Sequence, residues 1–376
     1  LASDTVKNIA IVSNTSWYVY NFRKGLLQKL ISAGYTVFAI APKDKFVREI
    51  EALGCVFIEL KHIHNKGKNP FQDLLLTLEL RNIFNTNNLD FCFFFTPKIN
   101  IYGTIATKFT SIKAVATING LGFVFSDGQP QWLKFTVKKL YTLAFKNLKA
   151  IIFQNNDDKN YFLHHKIIDS QKEIIVVRGS GANLAEFDQK KYFNPGNKLV
   201  FLLSARLIKE KGLYEYFEAA KNLKQKYPDV EFALLGLQAD NPSSIPLSVI
   251  DTMHQQKIIS YWGGTDNMSR MLNNVDVMVL PSYYREGIPK ILIEALAKGL
   301  PVITTDNIGC RETVEHGKNG FLIEVKNATV LETAMEKMIL MNSEELGAMG
   351  ELSRRKAEGE FDESFNHDAY LAILNS

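Results

Sequence analysis

Short apolar runs alternate along the chain with longer segments whose apolar positions fall three or four apart. The runs at 7–13, 35–41, 56–60, 91–96, 114–118, 150–154 and 174–177 have the make-up of strands buried on both faces. Between them, 20–33, 45–53, 70–84, 102–109, 131–145 and 157–164 carry helical periodicity. Strand and helix alternating at these lengths predict a doubly wound parallel sheet. A glycine-rich segment, Arg178-Gly179-Ser180-Gly181-Ala182-Asn183, then reads as a linker. A second series follows, with strands at 199–204, 231–235, 258–261, 275–280 and 301–304 and helices at 212–226, 268–273 and 288–299. The fold class is therefore α/β, with two doubly wound Rossmann-like domains at 1–178 and 179–363. Ligands are expected in a cleft where the carboxyl ends of both sheets meet.

The second series is organised around Y-Y-R-E-G-I-P-K-I-L-I-E-A-L-A-K-G at 283–299, a strand-to-helix turn. Gly287 permits a tight turn, Pro289 suits the first helical position, and Gly299 suits the end. Ile288, Ile291, Leu292, Ala295 and Leu296 form one apolar stripe. The unpaired amides at the start of such a helix form an anion site. Glu286 precedes it and Glu294 lies seven intervening residues later, which places both on one rim. Pairing of a solvated Glu294 with Lys290 or Lys298, each four residues away, explains that glutamate equally well.

Composition narrows the class. A chain of 376 residues, 46% hydrophobic and 22% charged, has the make-up of a globular protein of two domains. No apolar run approaches the roughly 20 residues that cross a bilayer, no signal peptide is visible, and a cytoplasmic location is expected. Residues 1–5 read as a remnant outside the fold. Cys55, Cys92 and Cys310 are scattered and offer neither a disulfide framework nor metal spacing. The seven histidines, including His62, His64, His164 and His165, sit in loops or at helix ends and read as solvated or capping. The net charge of +4 hides an asymmetry: residues 1–178 hold 23 Lys and Arg against 13 Asp and Glu, and the remainder 21 against 27. A basic first half suits an anionic substrate, an anionic membrane or nucleic acid.

Beyond the strand at 199–204, Arg206 and Lys211 place two cations at a strand end, where they could neutralise a diphosphate or stay solvated. Arg206 and Lys211 match R-x4-K, and Glu286 and Glu294, about 80 residues later, match E-x7-E. In that order these motifs resemble retaining glycosyltransferase family 4, which has the GT-B fold, two Rossmann-like domains facing across a cleft. The resemblance implies a segment at 364–376 that packs back on the first domain. It also implies Arg206 and Lys211 on the leaving diphosphate of a UDP-sugar, and Glu286 with the Gly287, Ile288, Pro289 and Lys290 segment on the donor sugar. Glu294 would bind the ribose, and Gly263, Gly264 and Thr265, otherwise a plain turn, would line the nucleobase loop. No Asp-x-Asp is present, so fixed cations rather than a metal are expected to meet the leaving charge, and no cofactor is expected.

In the first half, Asn14, Thr15 and Ser16 follow the first strand, and Asn119 and Gly120 follow the strand at 114–118; both places fall on the acceptor side in this family. Unlike many members, the chain has no Gly-Gly at the first place and no His near the second. S-N-T-S-W-Y-V-Y-N-F-R and N-G-L-G are similar to a bacterial subgroup that extends polyprenyl-diphosphate-linked sugars, including transferases that add GalNAc to diacetylbacillosamine on undecaprenyl diphosphate. The segment 132–149 carries five lysines and no acid. Trp132, Lys134, Lys138 and Lys139 would face an anionic membrane at the inner face of the cytoplasmic membrane, with Phe135, Tyr141 and Phe145 interleaved. An ordinary sheet-covering helix with Leu133, Val137, Leu140, Ala144 and Leu148 inward fits as well. The expected function is metal-independent transfer of a hexose or N-acetylhexosamine, GalNAc foremost, from a UDP-sugar to a polyprenyl-diphosphate-linked saccharide, with no nucleic acid partner. The rival is a nucleotide-regulated membrane- or RNA-binding protein without turnover. A dinucleotide oxidoreductase is disfavoured, because no G-x-G-x-x-G follows the first strand.

Overall fold

The computed structural model describes residues 7–63, 69–125, 128–191, 198–238 and 241–376. His64 and residues 1–5 lie outside them. The chain divides into two compact units, residues 1–180 with 363–376, and residues 181–362.

The first unit runs β1 Asn8–Val12, α1 Ser16–Ser32, β2 Thr36–Ala41, α2 Val47–Ala52, β3 Val56–Glu59, α3 Pro70–Thr86 and β4 Phe91–Phe95. It continues with α4 Pro97–Ala106, β5 Lys113–Ile118, α5 Gln131–Ala144, β6 Ala150–Phe153, α6 Asn156–His164 and β7 Glu173–Val176. The seven strands lie in the order β3-β2-β1-β4-β5-β6-β7, each described pair parallel. The order reverses between β1 and β4, which opens a crevice at their carboxyl ends. Burial on both sides is why β4 reads Phe-Cys-Phe-Phe-Phe, with all five residues buried.

Two helix starts depart from the sequence pattern. α1 begins at Ser16 rather than near 20, because the Thr15 hydroxyl accepts the Tyr18 N–H at 3.0 Å. α4 begins at Pro97, not 102, and has ended before Phe109, whose φ is +65°. The segment 178–183 is no loose tether: Gly179 to Ala182 are buried, and Asn366 Nδ2 donates to the Gly179 carbonyl at 3.2 Å.

The second unit runs β8 Val200–Ser204, α7 Leu213–Lys226, β9 Glu231–Leu235, α8 Leu247–Gln255, β10 Ser260–Tyr261, α9 Met268–Leu272 and β11 Val277–Leu280. It ends with α10 Lys290–Lys298, β12 Val302–Thr305, β13 Gly320–Ile323, α11 Ala328–Ile339 and α12 Ser343–Glu360. Its order is β10-β9-β8-β11-β12-β13, again all parallel, with the reversal between β8 and β11. The sequence pattern left α8, β13, α11 and α12 unassigned.

α13, Glu363–Asn375, returns to the first unit and buries Tyr370, Ile373 and Leu374 against the α1 side of its sheet. The Tyr370 ring meets Phe93 edge-on at 5.1 Å, and its hydroxyl is 3.0 Å from Thr117 Oγ1. Tyr370→Ala should cost about 3 kcal/mol. Urea unfolding should then show an earlier transition of the first unit only; an unmoved transition would mean that α13 is a passive appendage.

Candidate active site

Three loops at the carboxyl edge of the second sheet form one hydrogen-bonded block at the β8/β11 reversal. After β8 the chain makes a tight turn over Lys209–Lys211 and closes on Gly212, at φ +78°. A Cβ there would lie 2.2 Å from the Pro281 carbonyl oxygen, so only glycine lets the two loops touch. The loop after β11 answers with two amides, Tyr283 and Tyr284, which donate to the Glu210 carbonyl at 2.9 and 3.1 Å. From the end of β12 the Thr305 hydroxyl donates to the Ser282 carbonyl, and from the loop after it Asn307 Nδ2 donates to the Tyr284 carbonyl at 3.1 Å.

Inside this block the buried Lys211 ammonium pairs with Glu286 Oε1. The Ser282 hydroxyl accepts the Tyr284 N–H at 3.2 Å and donates to the same carboxylate oxygen at 3.1 Å. The Tyr284 ring centroid lies 5.5 Å from the Arg206 guanidinium carbon and 5.8 Å from Lys211 Nζ, so one ring attracts two cations. Arg206 is exposed and makes no ion pair among the described residues. The block thus presents one open cation and one held in reserve by a carboxylate. Cys310 lies buried behind it, its thiol pushed up to about 12 by burial first and then by the Glu286 charge.

The segment that follows departs from expectation in two respects. Gly287 does not adopt positive φ; the special backbone belongs to Gly309, at φ +80°, where a Cβ would sit 1.4 Å from the Gly287 oxygen. Pro289 is the N-cap rather than the first helical residue. α10 is also buried almost all round, beyond its apolar stripe: Glu294 and Lys298 are both inside. Glu294 is therefore not solvated, and it pairs with Lys290 at 3.1 Å. Gly299 ends the helix at φ +76°.

Lys211, Glu286 and Arg206 are thus brought together, with Lys290 and Glu294 as a separate pair on α10. Gly263, Gly264 and Thr265 sit at the same sheet edge after β10, two strands from β8. Their loop is tied to the β9 loop by Gly236 N–H to the Gly263 carbonyl at 2.7 Å, and Thr265 Oγ1 accepts the Asn267 N–H at 3.0 Å. Sequence reasoning missed Ser282, Tyr284, Asn307 and Gly309. Only the Tyr-Tyr pair ahead of Glu286 carried a signal.

In the first unit, Thr15 caps α1 and the buried Ser16 hydroxyl donates to the Pro42 carbonyl, so both have local structural partners. Asn14 lies beside Ser13. Asn119 Nδ2 donates to the Tyr18 hydroxyl at 2.8 Å, and Gly120 follows at φ +104°. α5 buries Leu133, Tyr141 and Ala144, and the turn after it buries Phe145 and Leu148, which moves Tyr141 and Phe145 from the interleaved aromatics to the core. Trp132 and Phe135 remain exposed, with Lys139 exposed and Lys134 and Lys138 half-buried. Among the described residues no helix is long and apolar enough to cross a membrane.

Two family models divide the chain in the same way. "Glycosyl transferase 4-like" matches residues 8–155, and "Glycosyl transferases group 1" matches 185–356, the stretch that holds the Lys211–Glu286 block. The chain is a glycosyltransferase built of these two domains. It is 28% identical, over 98% of both chains, to the N,N'-diacetylbacillosaminyl-diphospho-undecaprenol alpha-1,3-N-acetylgalactosaminyltransferase of Campylobacter jejuni. It is 25% identical, over 68% of each, to the UDP-Gal:alpha-D-GlcNAc-diphosphoundecaprenol alpha-1,3-galactosyltransferase of Escherichia coli. Among solved structures, sucrose-phosphate synthase from Thermosynechococcus elongatus superposes with a TM-score of 0.82 at 18% identity, covering 98% of each chain, and shares the GT-B fold of this transferase.

Gly309→Ala should push the Gly287 carbonyl away and with it the Glu286 turn. The expected loss is at least about 1–3 kcal/mol of stability in the second unit, visible in its melting transition. An unchanged melt would show that the close approach is dispensable.

Proposed function

We propose that this glycosyltransferase moves an N-acetylhexosamine or hexose, GalNAc foremost, from a UDP-sugar to a polyprenyl-diphosphate-linked saccharide, with retention and without a metal. The observation that carries the donor half is the Lys211–Glu286 pair beside Arg206, which has no ion pair among the described residues, at the β8/β11 reversal. Two cations there match a nucleoside diphosphate, whose negative charge grows as the sugar leaves. On this account the donor's phosphates draw Lys211 from Glu286. The freed carboxylate then orients the sugar, while the amides from Gly287 to Lys290 hold it. Glu294, kept in place by Lys290, reads the ribose, and the Gly263–Thr265 loop abuts the nucleobase.

The acceptor half is supported by the two relatives, both of whose names specify a sugar on diphospho-undecaprenol. Glu286, held through Oε1 by Lys211 and Ser282, is assigned here to orienting the sugar rather than attacking it. The reading is therefore same-face transfer, in which the departing phosphate oxygen takes the acceptor's proton as the new bond forms. Such acceptors reside in a membrane, and Trp132, Phe135, Lys134, Lys138 and Lys139 supply an aromatic and cationic face for peripheral attachment at its cytoplasmic side.

Turnover measured across UDP- and GDP-sugars, with a diphospho-undecaprenol saccharide as acceptor, should favour one UDP-N-acetylhexosamine and persist in EDTA. Glu286→Ala should lower its kcat by at least about a hundredfold. Strict metal dependence would remove the fixed-cation account, and preference for a GDP-sugar would remove the donor assignment. Replacing Lys134, Lys138 and Lys139 together by glutamine should weaken sedimentation with phosphatidylglycerol vesicles several-fold. Equal sedimentation would return α5 to a purely sheet-covering role.

A further inference from the structure

The first unit has its own strand-order reversal, between β1 and β4, and a charged group is buried beside it. Arg23, on α1, is 3% exposed and has no carboxylate partner among the described residues. Its guanidinium carbon lies 4.2 Å from the centroid of Phe95, the last residue of β4. Nη2 donates to the Tyr18 hydroxyl at 2.7 Å and lies 3.4 Å from Asn119 Oδ1. Nε is buried without a partner. A guanidinium out of water with no counter-charge is costly, and such groups are retained where an anion completes them.

The Tyr18 hydroxyl shows where that anion would be met. It accepts from Arg23 and also from Asn119 Nδ2, at 2.8 Å, so both contacts use its lone pairs. Its own proton has no acceptor among the described residues, and Tyr18 as a whole is half-buried. Burial, acting first, pushes the phenol's pKa up although Arg23 pulls it down, so the proton stays on. A hydroxyl that accepts a charge-assisted bond is itself a stronger donor. Next along the chain, Thr96 is held at φ +76° with its own hydroxyl buried and unpartnered, and α4 begins beside it without a side-chain cap. For a β-branched residue that φ is a genuine outlier, of the kind that collects at ligand sites.

We infer that Tyr18, held between Arg23 and Asn119, donates a hydrogen bond to an anionic oxygen of the acceptor's diphosphate, with Arg23 as its positioning residue. This rests on the acceptor class proposed above. The ligand chemistry is a diphosphate ester, and no covalent step is involved.

The test is calorimetric titration of the full chain with farnesyl diphosphate, with UDP present in excess to occupy the second unit. Wild type should bind the probe, and Tyr18→Phe, which removes one oxygen and keeps the ring packing, should bind at least tenfold more weakly. Its UDP affinity should be unchanged, and its melting temperature should fall by no more than a few degrees, for the loss of the oxygen that accepts from Arg23 and Asn119. Arg23→Lys should retain more of the affinity than Arg23→Met, because the charge acts through the phenol. Equal probe affinity in wild type and Tyr18→Phe would overturn the assignment and leave the cluster as structural, as would absence of probe binding by wild type. UDP affinity is read in the same samples, so loss of the transferase reading would show as failure to bind UDP and is separable from either result.

Discussion

The second unit depends on the contact of three strand-end segments, at 206–212, 281–287 and 305–309, that share a few carbonyl oxygens. Glu210 offers one carbonyl to two amides, Ser282 offers another to Thr305, and Gly212 and Gly309 allow backbone to approach backbone where any side chain would collide. Only because those approaches are closed does Lys211 reach Glu286. A buried ammonium needs a partner. Here it has one that an incoming diphosphate could replace, so the packing constraint and the chemistry are one arrangement. Arg206, beside Tyr284 with no ion pair among the described residues, is the complement: on the proposed reading it is available before the donor arrives.

Much of the architecture was legible because parallel strands covered on both faces are written as unbroken apolar runs, as at Phe91–Phe95 and Val277–Leu280. Helix starts were legible only as far as caps were recognised. Thr15 moved α1 forward by several residues. In α12, Asn342 with Glu345 forms a capping box, a signal present in N-S-E-E that was passed over because the helix is so rich in charge. Motif spacing located Arg206, Lys211, Glu286 and Glu294. It could not locate Ser282, Asn307 or Gly309, whose roles exist only where loops from separate strands touch. Nor could helical periodicity show that Glu294 is inside, since α10 is enclosed on nearly every side and its apolar stripe understates its burial.

The two units solve the same topological problem with different charge economies. In the second, a buried cation is balanced by a carboxylate. In the first, Arg23 is balanced among the described residues by aromatic faces, a phenol and an amide. On the proposed assignment, the donor side releases one charge to take up another and the acceptor side waits with one uncompensated. The return of α13 to the first unit, through Tyr370 and the Asn366 bond to Gly179, ties the chain's last helix to the linker and to the strand that precedes Asn119.

The central claim is that Arg206 and Lys211 are the diphosphate-binding cations. Calorimetric titration of UDP into wild type, Arg206→Met and Lys211→Met, with thermal melts as a check on folding, tests it most directly. The account predicts that each substitution weakens UDP by about tenfold or more, since a hydrogen-bonded charge contact contributes about 1.5–3 kcal/mol, while Tyr18→Phe leaves UDP affinity unchanged. UDP affinity equal to wild type in folded Arg206→Met and Lys211→Met would contradict it.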